Sequence, residues 1–254
     1  MTEIEIDLDA VVKGLAEVSD RPAEEILKEI EGLQAEFGYN VAGAIATWKS
    51  DNKFLIAADR KEYLARVIAV ETPRVATIDG VPTPVGNVHF VYDDPETGEP
   101  TFNVTTCWGQ DRIDELYTLF ELGNSYLFKA RINNKGYLAW IRGAEPKEGA
   151  PEIDSIGAVA IGDLVNVIDR YEFVKGWIGR MISPKGVKLG FELDDLGMSP
   201  PLTVWFGGQY SKMTPEQVQD AMLMTNSGAN VAVYGYVSGT ENEVRMSASS
   251  IWFL

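Results

Sequence analysis

The sequence is poor in the residues on which most metal and catalytic sites depend. Its 254 residues include one cysteine, Cys107, and one histidine, His89. A single thiol forms no internal disulfide, and a structural zinc site needs several Cys and His ligands. We therefore expect no structural zinc, no cofactor and no histidine-dependent acid–base catalysis, and the low cysteine content favours a reducing compartment.

Long apolar runs and the motifs of common enzymes are missing as well. No stretch approaches 18 consecutive apolar residues, and the acidic start MTEIEIDLDA has neither region of a signal peptide. There is no phosphate loop, no GxGxxG after a strand and no nucleophile elbow. Two acidic pairs, Asp93/Asp94 and Asp194/Asp195, lie where turns are expected and favour turn roles over metal binding. The sequence predicts a cytoplasmic protein that has no membrane segment and is not an enzyme.

Basic residues are outnumbered by acidic ones. The chain has 38 Asp and Glu against 22 Lys and Arg, a formal net charge of −16, and residues 1–60 hold 13 of the acids and only 6 of the bases. A charge of this sign disfavours a nucleic-acid ligand for the molecule as a whole. Binding in a groove depends on the local potential, so the total does not exclude such a site.

The N-terminal region has the apolar spacing of helices. Ile26, Ile30 and Leu33 belong to the longest apolar stripe, which Pro22 precedes and Gly38 ends. Shorter stripes lie on either side of it. The pattern predicts a small three-helix bundle over residues 1–58.

From Glu62 onward the pattern changes to that of strands. Strands are predicted over 63–70, 87–92, 101–108, 125–132 and 137–142, with a proline-rich loop after the first strand and a helix over 111–122. The same order returns at 172–182, 187–194, 202–206, 230–237 and 243–252, with a helix over 214–224 and a turn over 238–242. Three strands, a helix and two strands therefore occur twice.

A duplicated barrel explains this repeat economically. Phe102–Gln110 parallels Leu202–Gln209, and each stretch carries an aromatic residue and a glycine after an apolar strand. Five strands with a helix between the third and fourth are the layout of the OB-fold. The predicted fold is mainly β, with two tandem OB-fold barrels after the helical bundle. The predicted domains are 1–58, 59–146 (first barrel), 147–168 (linker) and 169–254 (second barrel). Two unrelated small β domains are the alternative.

Aromatic and basic residues on these strands and hairpins are the candidate binding residues. Unpaired bases stack on aromatic rings, which contributes roughly 1–3 kcal/mol per base, while cations follow the phosphates. Alternation places Trp205 and Phe206 on opposite faces and turns Cys107 inward beside Trp108. The candidates are Arg66, Trp108, Lys129, Arg131, Lys135, Tyr137 and Trp140 in the first copy, and Trp177, Arg180, Lys188, Trp205, Phe206, Tyr210, Lys212 and Tyr236 in the second. Burial of each Trp and ordinary solvation of each cation are the alternatives.

Two stretches of the sequence resemble archaeal replication protein A, a family of single-stranded DNA-binding proteins. They are the helical segment Ala23–Phe37 with Ala42–Ile45, and Thr105–Gly109 followed by Leu122–Ala130. The resemblance implies that Trp108 stacks on a base. Tyr137 matches the family's second stacking aromatic approximately, and the hairpin over 238–242 has none.

The resemblance implies binding of single-stranded DNA without sequence specificity, in replication, recombination and repair. It places the protein with the nucleoid, as a homo- or hetero-oligomer. The acidic bundle is predicted to recruit replication proteins such as a polymerase or primase. An OB-fold protein-interaction subunit of a replication complex and an RNA-binding protein are the other hypotheses.

Overall fold

The structure is a computed structural model that describes most of the chain. The described ranges are 7–19, 21–53, 56, 61–78, 80–133, 135–140, 143–241 and 243–254, and Tyr210 is described by its backbone alone. The chain divides into two compact units. The first is Met1–Lys61 with Lys129–Arg131 and Trp140–Arg142, and the second is Glu62–Phe128, Ile132–Ala139 and Gly143–Leu254. Within the described ranges, no helix is long and apolar enough to cross a membrane.

The three predicted N-terminal helices are present in the first unit. They are α1 (Leu8–Ser19), α2 (Ala23–Phe37) and α3 (Val41–Asp51). Their apolar faces meet in one core that buries Ile26, Ile30 and Trp48, among others. Gly38 ends α2 as predicted: at a left-handed φ of 68° its N–H donates to the carbonyl oxygen of Gln34.

A buried arginine joins these helices. The guanidinium of Arg21, whose side chain is 7% exposed, donates to both carboxylate oxygens of Glu29, at 2.8 and 2.6 Å. Trp48 Nε1 donates to the same carboxylate at 2.7 Å. One carboxylate on α2 therefore links Arg21, two residues before that helix, to Trp48 on α3.

We expect Glu29→Gln to lower the free energy of unfolding by about 1–3 kcal/mol, because the buried guanidinium loses its two-point charged acceptor and keeps only the Glu25 carboxylate, at 3.2 Å. Urea unfolding of the full chain, followed by the far-ultraviolet circular dichroism of the helices, measures this change. Glu31→Gln is the matched control, since Glu31 is exposed on the same helix. Equal midpoints for the two variants would contradict the role of Glu29.

The C-terminal half forms a closed five-stranded barrel. Its strands are β8 (Tyr171–Ile182), β9 (Gly190–Asp194), β10 (Leu202–Trp205), β11 (Asn230–Thr240) and β12 (Glu243–Phe253), and helix α5 (Pro215–Met224) lies between β10 and β11. The hydrogen-bonded order is β8-β9-β10-β12-β11, which returns to β8. The OB-fold layout predicted for the second copy is therefore present. At the start of α5, Thr214 and Gln217 form a capping box.

The inside of this barrel is tightly filled. Phe191, Val204 and Phe206 are fully buried in its core. Gly235 lies at a bulge of β11, where a Cβ would stand 2.4 Å from the carbonyl oxygen of Ser247. Only glycine allows the strands to approach this closely.

The preceding strands form a seven-stranded sheet. They are β1 (Lys61–Val70), β2 (Arg74–Ile78), β3 (Val81–Asp93), β4 (Pro100–Trp108), β5 (Ser125–Ile132), β6 (Leu138–Trp140) and β7 (Glu145–Pro146), and helix α4 (Gln110–Leu119) lies between β4 and β5. Without the short strands β2 and β7, the order in this sheet is β4-β3-β1-β5-β6. It corresponds strand by strand to the order β10-β9-β8-β11-β12 in the barrel. Side chains link β4 to β6 and to the turn before it: Thr105 Oγ1 donates to Leu138 O of β6 at 3.1 Å, and Asn103 Nδ2 donates to Gly136 O at 2.9 Å.

The proline-rich loop predicted after β1 is wrong, because β2 and the start of β3 form a hairpin there. Pro82 pairs with Thr77, and Pro84 pairs with Val75. β2 is at the edge of the sheet, and this part of β3 pairs with β2 alone. Proline, which lacks an N–H, is tolerated where a strand has an open side.

The turn predicted over 238–242 is shorter than expected. β11 continues to Thr240, which pairs directly with Glu243, and Asn242 lies outside the described residues.

The acidic pairs act in turns as expected: Asp94 Oδ1 accepts from the N–H of Glu96 at 2.7 Å, and Asp194 Oδ1 accepts from that of Gly197 at 2.7 Å. Within the described residues, no cluster of His, Cys, Asp and Glu is suited to a metal ion.

Residues 147–168, predicted as a linker, include packed side chains. The segment contains two short 3-10 turns, Ile153–Ser155 and Ile161–Val167, and buries Ile156 and Leu164. Ile156 belongs to an apolar cluster with Val91 of the sheet and Phe173 of the barrel. The sheet and the barrel thus share an apolar contact within the second unit.

Candidate nucleic-acid interface

One face of β4 is available for a ligand. Alternation along this strand buries Cys107 and leaves Trp108 48% exposed, as the sequence predicts. Burial raises the pKa of the Cys107 thiol to about 11, so this thiol is unreactive near neutral pH. Trp108 pairs with Val85, and Val85 pairs with Arg74, so Trp108 and Arg74 occupy one row across three strands.

This face forms one wall of a cleft of about 540 Å³, and the barrel forms the other. The cleft is lined by Arg74, Asn87, His89, Phe102, Asn103, Val104, Thr106, Trp108, Gly136, Tyr137, Asp169, Arg170, Tyr171, Tyr234 and Tyr236. Six of these residues are Phe, Tyr or Trp. Its volume falls within the range of about 300–1,000 Å³ found for ligand pockets.

Aromatic rings from both walls contact one another in the cleft. Tyr171 and Tyr234 stack with ring centroids 5.7 Å apart, and Phe102 meets Tyr234 edge-on at 5.5 Å. His89 lies 4.5 Å from Tyr171, centroid to centroid, and its Nδ1 is 3.1 Å from the hydroxyl of Tyr234. His89 is therefore fully buried, and its ring is hydrogen-bonded to Tyr234.

A buried carboxylate, Glu71, connects the two walls at the base of the cleft. Its Oε1 accepts from Tyr171 OH and Ser249 Oγ, both at 2.8 Å, and its Oε2 accepts from Asn87 Nδ2 at 2.9 Å. His89 Nε2 lies 3.3 Å and Lys212 Nζ lies 3.8 Å from Oε1. We call these six side chains the Glu71 network; three come from the sheet and three from the barrel.

The pKa values of Glu71, Tyr171 and Lys212 are shifted in the Glu71 network. Burial acts to raise the pKa of Glu71, but hydrogen bonds and charges from His89, Lys212 and Asn87 outweigh it and hold this pKa well below its usual range. Burial and the Glu71 charge raise the pKa of Tyr171 well above its usual value, so its hydroxyl stays protonated and donates. Burial lowers the pKa of Lys212, against the pull of Glu71.

Three cations border the cleft. Lys212 Nζ lies 4.7 Å from the ring centroid of Tyr171 and 4.8 Å from that of Tyr236. Arg74 and Arg170 are exposed. Among the described residues, neither guanidinium forms an ion pair or donates a side-chain hydrogen bond. Both are therefore available to an anionic ligand.

A second surface lies on the barrel itself. It is a shallow pocket of about 490 Å³ bordered by Arg180, Glu192, Trp205 and Arg245, among others. Arg180 contacts Glu192. Trp205 is half-buried on this outer side, while Phe206 is fully buried against Phe191. As alternation predicts, only one of the two adjacent aromatic rings faces outward.

Of the predicted site residues, the structure brings Trp108, Tyr137 and Tyr236 together in the cleft, with Lys212 beside them. Arg180 and Trp205 meet on the barrel surface. Lys135 is exposed in the hairpin after β5. Trp177, 41% exposed on β8, lines neither surface.

Other predicted residues serve the fold. The Arg66 guanidinium donates to the carbonyl oxygens of Pro151 and Gly123, at 2.8 and 2.9 Å. Lys188 Nζ donates to Thr225 O at 3.1 Å. Lys129 and Arg131 are half-buried, and Trp140 is buried. Phe206 presents no ring face to a base, and the side chain of Tyr210 lies outside the described part of the chain.

Sequence reasoning missed Arg74, Asp169, Arg170 and Tyr171. Arg74 falls in the segment predicted as a loop, where no strand face is expected. Asp169 and Arg170 immediately precede β8, and Tyr171 begins it. This run of an acid, a cation and an aromatic residue is a sequence signal that could have marked them as candidate binding residues. Tyr171 joins the site only because the sheet and barrel meet there.

Comparisons with known proteins find weak structural likenesses. No protein-family model matches the sequence, and no curated protein matches it. A chain from a replication protein A heterotrimer bound to ssDNA is 17% identical over 77% of this chain, with a TM-score of 0.45. The match covers 48% of that protein, so this chain spans about half its length.

Two smaller structures are similar to parts of the chain. The OBody AM1L10 bound to hen egg-white lysozyme is 19% identical over 35% of this chain and 83% of its own, with a TM-score of 0.30. The SSB domain of a Synechococcus sp. protein is 17% identical over 35% of this chain and 96% of its own, with a TM-score of 0.27.

Proposed function

We propose that the chain binds single-stranded DNA without general sequence specificity, through the cleft between its sheet and its barrel. The observation that supports this most is Trp108, 48% exposed in the same strand row as the unpaired Arg74. Neighbouring strands are about 4.8 Å apart, so the two positions are separated by roughly 10 Å. That spacing suits one base stacked on the indole and a phosphate held by the guanidinium.

The local charge of the cleft supports an anionic ligand despite the net charge of −16. Arg74, Arg170 and Lys212 supply three positive charges. The Glu71 carboxylate is buried and hydrogen-bonded, and Asp169 is the one exposed acid among the lining residues. Cations that track the backbone and aromatic rings that take the bases are the usual elements of single-strand binding.

The proposal includes the tandem architecture. We propose that the seven-stranded sheet is a second, more open OB-fold, with the boundaries 1–58, 59–146, 147–168 and 169–254. Membership of the archaeal replication protein A family, a role in DNA replication, recombination and repair, and a place at the nucleoid stay predictions. The barrel surface with Arg180 and Trp205 is the proposed second contact along the strand.

A further part of the proposal concerns protein partners. Helix α2 exposes Glu24, Glu31 and Glu36, and this acidic surface is proposed to bind a basic replication protein such as a polymerase or primase subunit. Light scattering of the chain alone and mixed with such a subunit tests this and gives the oligomeric state. Replacing the three acids with Gln is expected to abolish the complex and to leave oligo(dT) binding unchanged.

Fluorescence anisotropy with labelled oligo(dT) tests DNA binding and its salt dependence. If Arg74 and Arg170 each neutralise one phosphate of a single strand, the slope of log K against log [salt] is about −1.4. The double variant Arg74→Gln, Arg170→Gln is expected to flatten this slope by about 1.4. Lys185→Gln, an exposed cation outside both surfaces, is the control and should not change it.

Two outcomes contradict the proposal. Failure of the intact chain to bind oligo(dT) at low salt removes single-stranded DNA as the ligand. Stronger competition by oligo(U) than by unlabelled oligo(dT) of the same length identifies RNA as the preferred ligand instead.

A further inference from the structure

Asp169 occupies an unusual position in the cleft. Its backbone is left-handed, with a φ of 66°, and its N–H donates to Val237 O at 3.0 Å just before β8 begins. Outside glycine, such a backbone conformation carries a cost that surrounding structure must offset, and Asp is among the residues that adopt it most readily. The strained residue lies at the site, and its side chain lines the cleft.

The Asp169 carboxylate retains unused acceptor capacity. Its Oδ1 accepts one hydrogen bond, from Tyr236 OH at 3.3 Å. Among the described residues, Asp169 forms no ion pair, and its Oδ2 accepts no hydrogen bond. An ionised carboxylate has about four lone-pair sites, so most of its acceptor capacity is unfilled.

A free carboxylate opposes a polyanionic ligand unless it meets hydrogen-bond donors. Phosphates and sugar ring oxygens offer none, whereas base edges do. Guanine alone presents two adjacent donors, N1–H and N2–H, on its Watson–Crick edge. Cytosine and adenine each present one amino group beside an acceptor, and thymine presents one N–H between two carbonyl groups. A carboxylate therefore accepts two parallel hydrogen bonds only from guanine.

We propose that Asp169 makes the cleft a guanine-selective position within an otherwise unselective strand-binding track. The proposal rests on the proposed function, since it assigns one base of the bound strand. The base lies among the aromatic rings of the cleft with its Watson–Crick edge at Asp169. Arg170, the next residue, and Arg74 hold the flanking phosphates.

The test compares labelled twelve-nucleotide oligo(dT) with versions that carry one central dG, dA, dC or deoxyinosine. A bidentate contact predicts that the dG version binds about tenfold more tightly than plain oligo(dT). Deoxyinosine lacks the N2 amino group and is expected to fall between the two. The dA and dC versions are expected to match oligo(dT) within about twofold, which is well below the effect of one good contact.

Asp169→Asn replaces one of the two acceptor oxygens by an NH2 donor, so the side chain can no longer accept two hydrogen bonds from guanine. Asn also tolerates the left-handed backbone. Within this variant, the dG version is expected to bind no more tightly than plain oligo(dT), so the ratio of about tenfold expected for the wild type is lost. Asp169→Gly, which relieves the backbone strain, should lose the preference in the same way. Asp163→Asn, an exposed acid outside the cleft, should retain it.

The outcomes separate this inference from the proposed function. Normal oligo(dT) binding with equal affinity for all five oligonucleotides overturns the guanine position alone. A dG preference that persists in Asp169→Asn, or equal binding of dG and deoxyinosine, overturns the role of Asp169. Failure to bind any oligonucleotide overturns the proposed function.

Discussion

Glu71→Ala is expected to destabilise the second unit by about 3–5 kcal/mol, because it leaves the partly buried ammonium group of Lys212 and several buried hydrogen-bond donors without their acceptor. His89 and Glu71 are almost fully buried, and Lys212 is 28% exposed. Tyr171, Ser249 and Asn87 would each lose a hydrogen bond as well. Urea unfolding followed by tryptophan fluorescence measures the change.

Two further variants show whether the charge or the packing matters. Glu71→Gln keeps the shape and part of the hydrogen bonding, so a smaller loss of about 1–3 kcal/mol is expected. Glu96→Ala, at an exposed position in the turn after β3, is the control and should stay within about 0.5 kcal/mol of the wild type. If the free energy of unfolding of Glu71→Ala also stays within about 0.5 kcal/mol of the wild type, the Glu71 network does not stabilise the fold.

Acid is expected to weaken the same network. The pKa of Glu71 in the folded protein lies well below its unfolded value of about 4.3. The carboxylate therefore contributes its full stability above about pH 5 and loses it as the pH falls toward the folded pKa. The stability difference between wild type and Glu71→Gln should narrow over that range, and an unchanged difference would mean that Glu71 is not charged at neutral pH.

Trp108→Ala is expected to weaken oligo(dT) binding by about tenfold to one-hundredfold, which corresponds to the loss of one stacked base. Trp108 ends β4 with 48% of its surface exposed, so its removal leaves no buried cavity. The free energy of unfolding should therefore change by less than about 1 kcal/mol. Anisotropy titrations and urea unfolding of the same variant separate the two effects.

Trp177→Ala provides the matched control, because Trp177 has similar exposure, 41%, but lines neither the cleft nor the barrel surface. Its affinity for oligo(dT) should stay within about twofold of the wild type, well below the effect of a stacked base. Equal losses in the two variants would show that exposed indoles contribute regardless of position and would contradict the assignment to the cleft.

Local chemistry made much of the fold predictable. The cap at Thr214, the helix stop at Gly38 and the inward turn of Cys107 each depend on residues close in sequence. The hairpin that contains Pro82 and Pro84 escaped prediction because proline is a general strand breaker. Its acceptability there depends on the open side of β3, which only the assembled sheet reveals.

The candidate site was predictable only in part, because it forms between two halves of the chain. Trp108 and Tyr236 are separated by more than one hundred residues in sequence yet line one cleft. The pairing of Glu71 with Tyr171 depends on how the barrel lies against the sheet, for which no local pattern is a guide. Arg66 shows the converse: a cation on a predicted strand face is used by backbone carbonyl groups instead.

The most direct test of the account is tryptophan fluorescence of Trp108→Phe titrated with oligo(dT). Phenylalanine still stacks on a base, so the affinity should stay within about tenfold of the wild type. The quenching that accompanies binding should fall more than it does in Trp205→Phe or Trp177→Phe. Binding with undiminished quenching in Trp108→Phe would contradict a base stacked on Trp108.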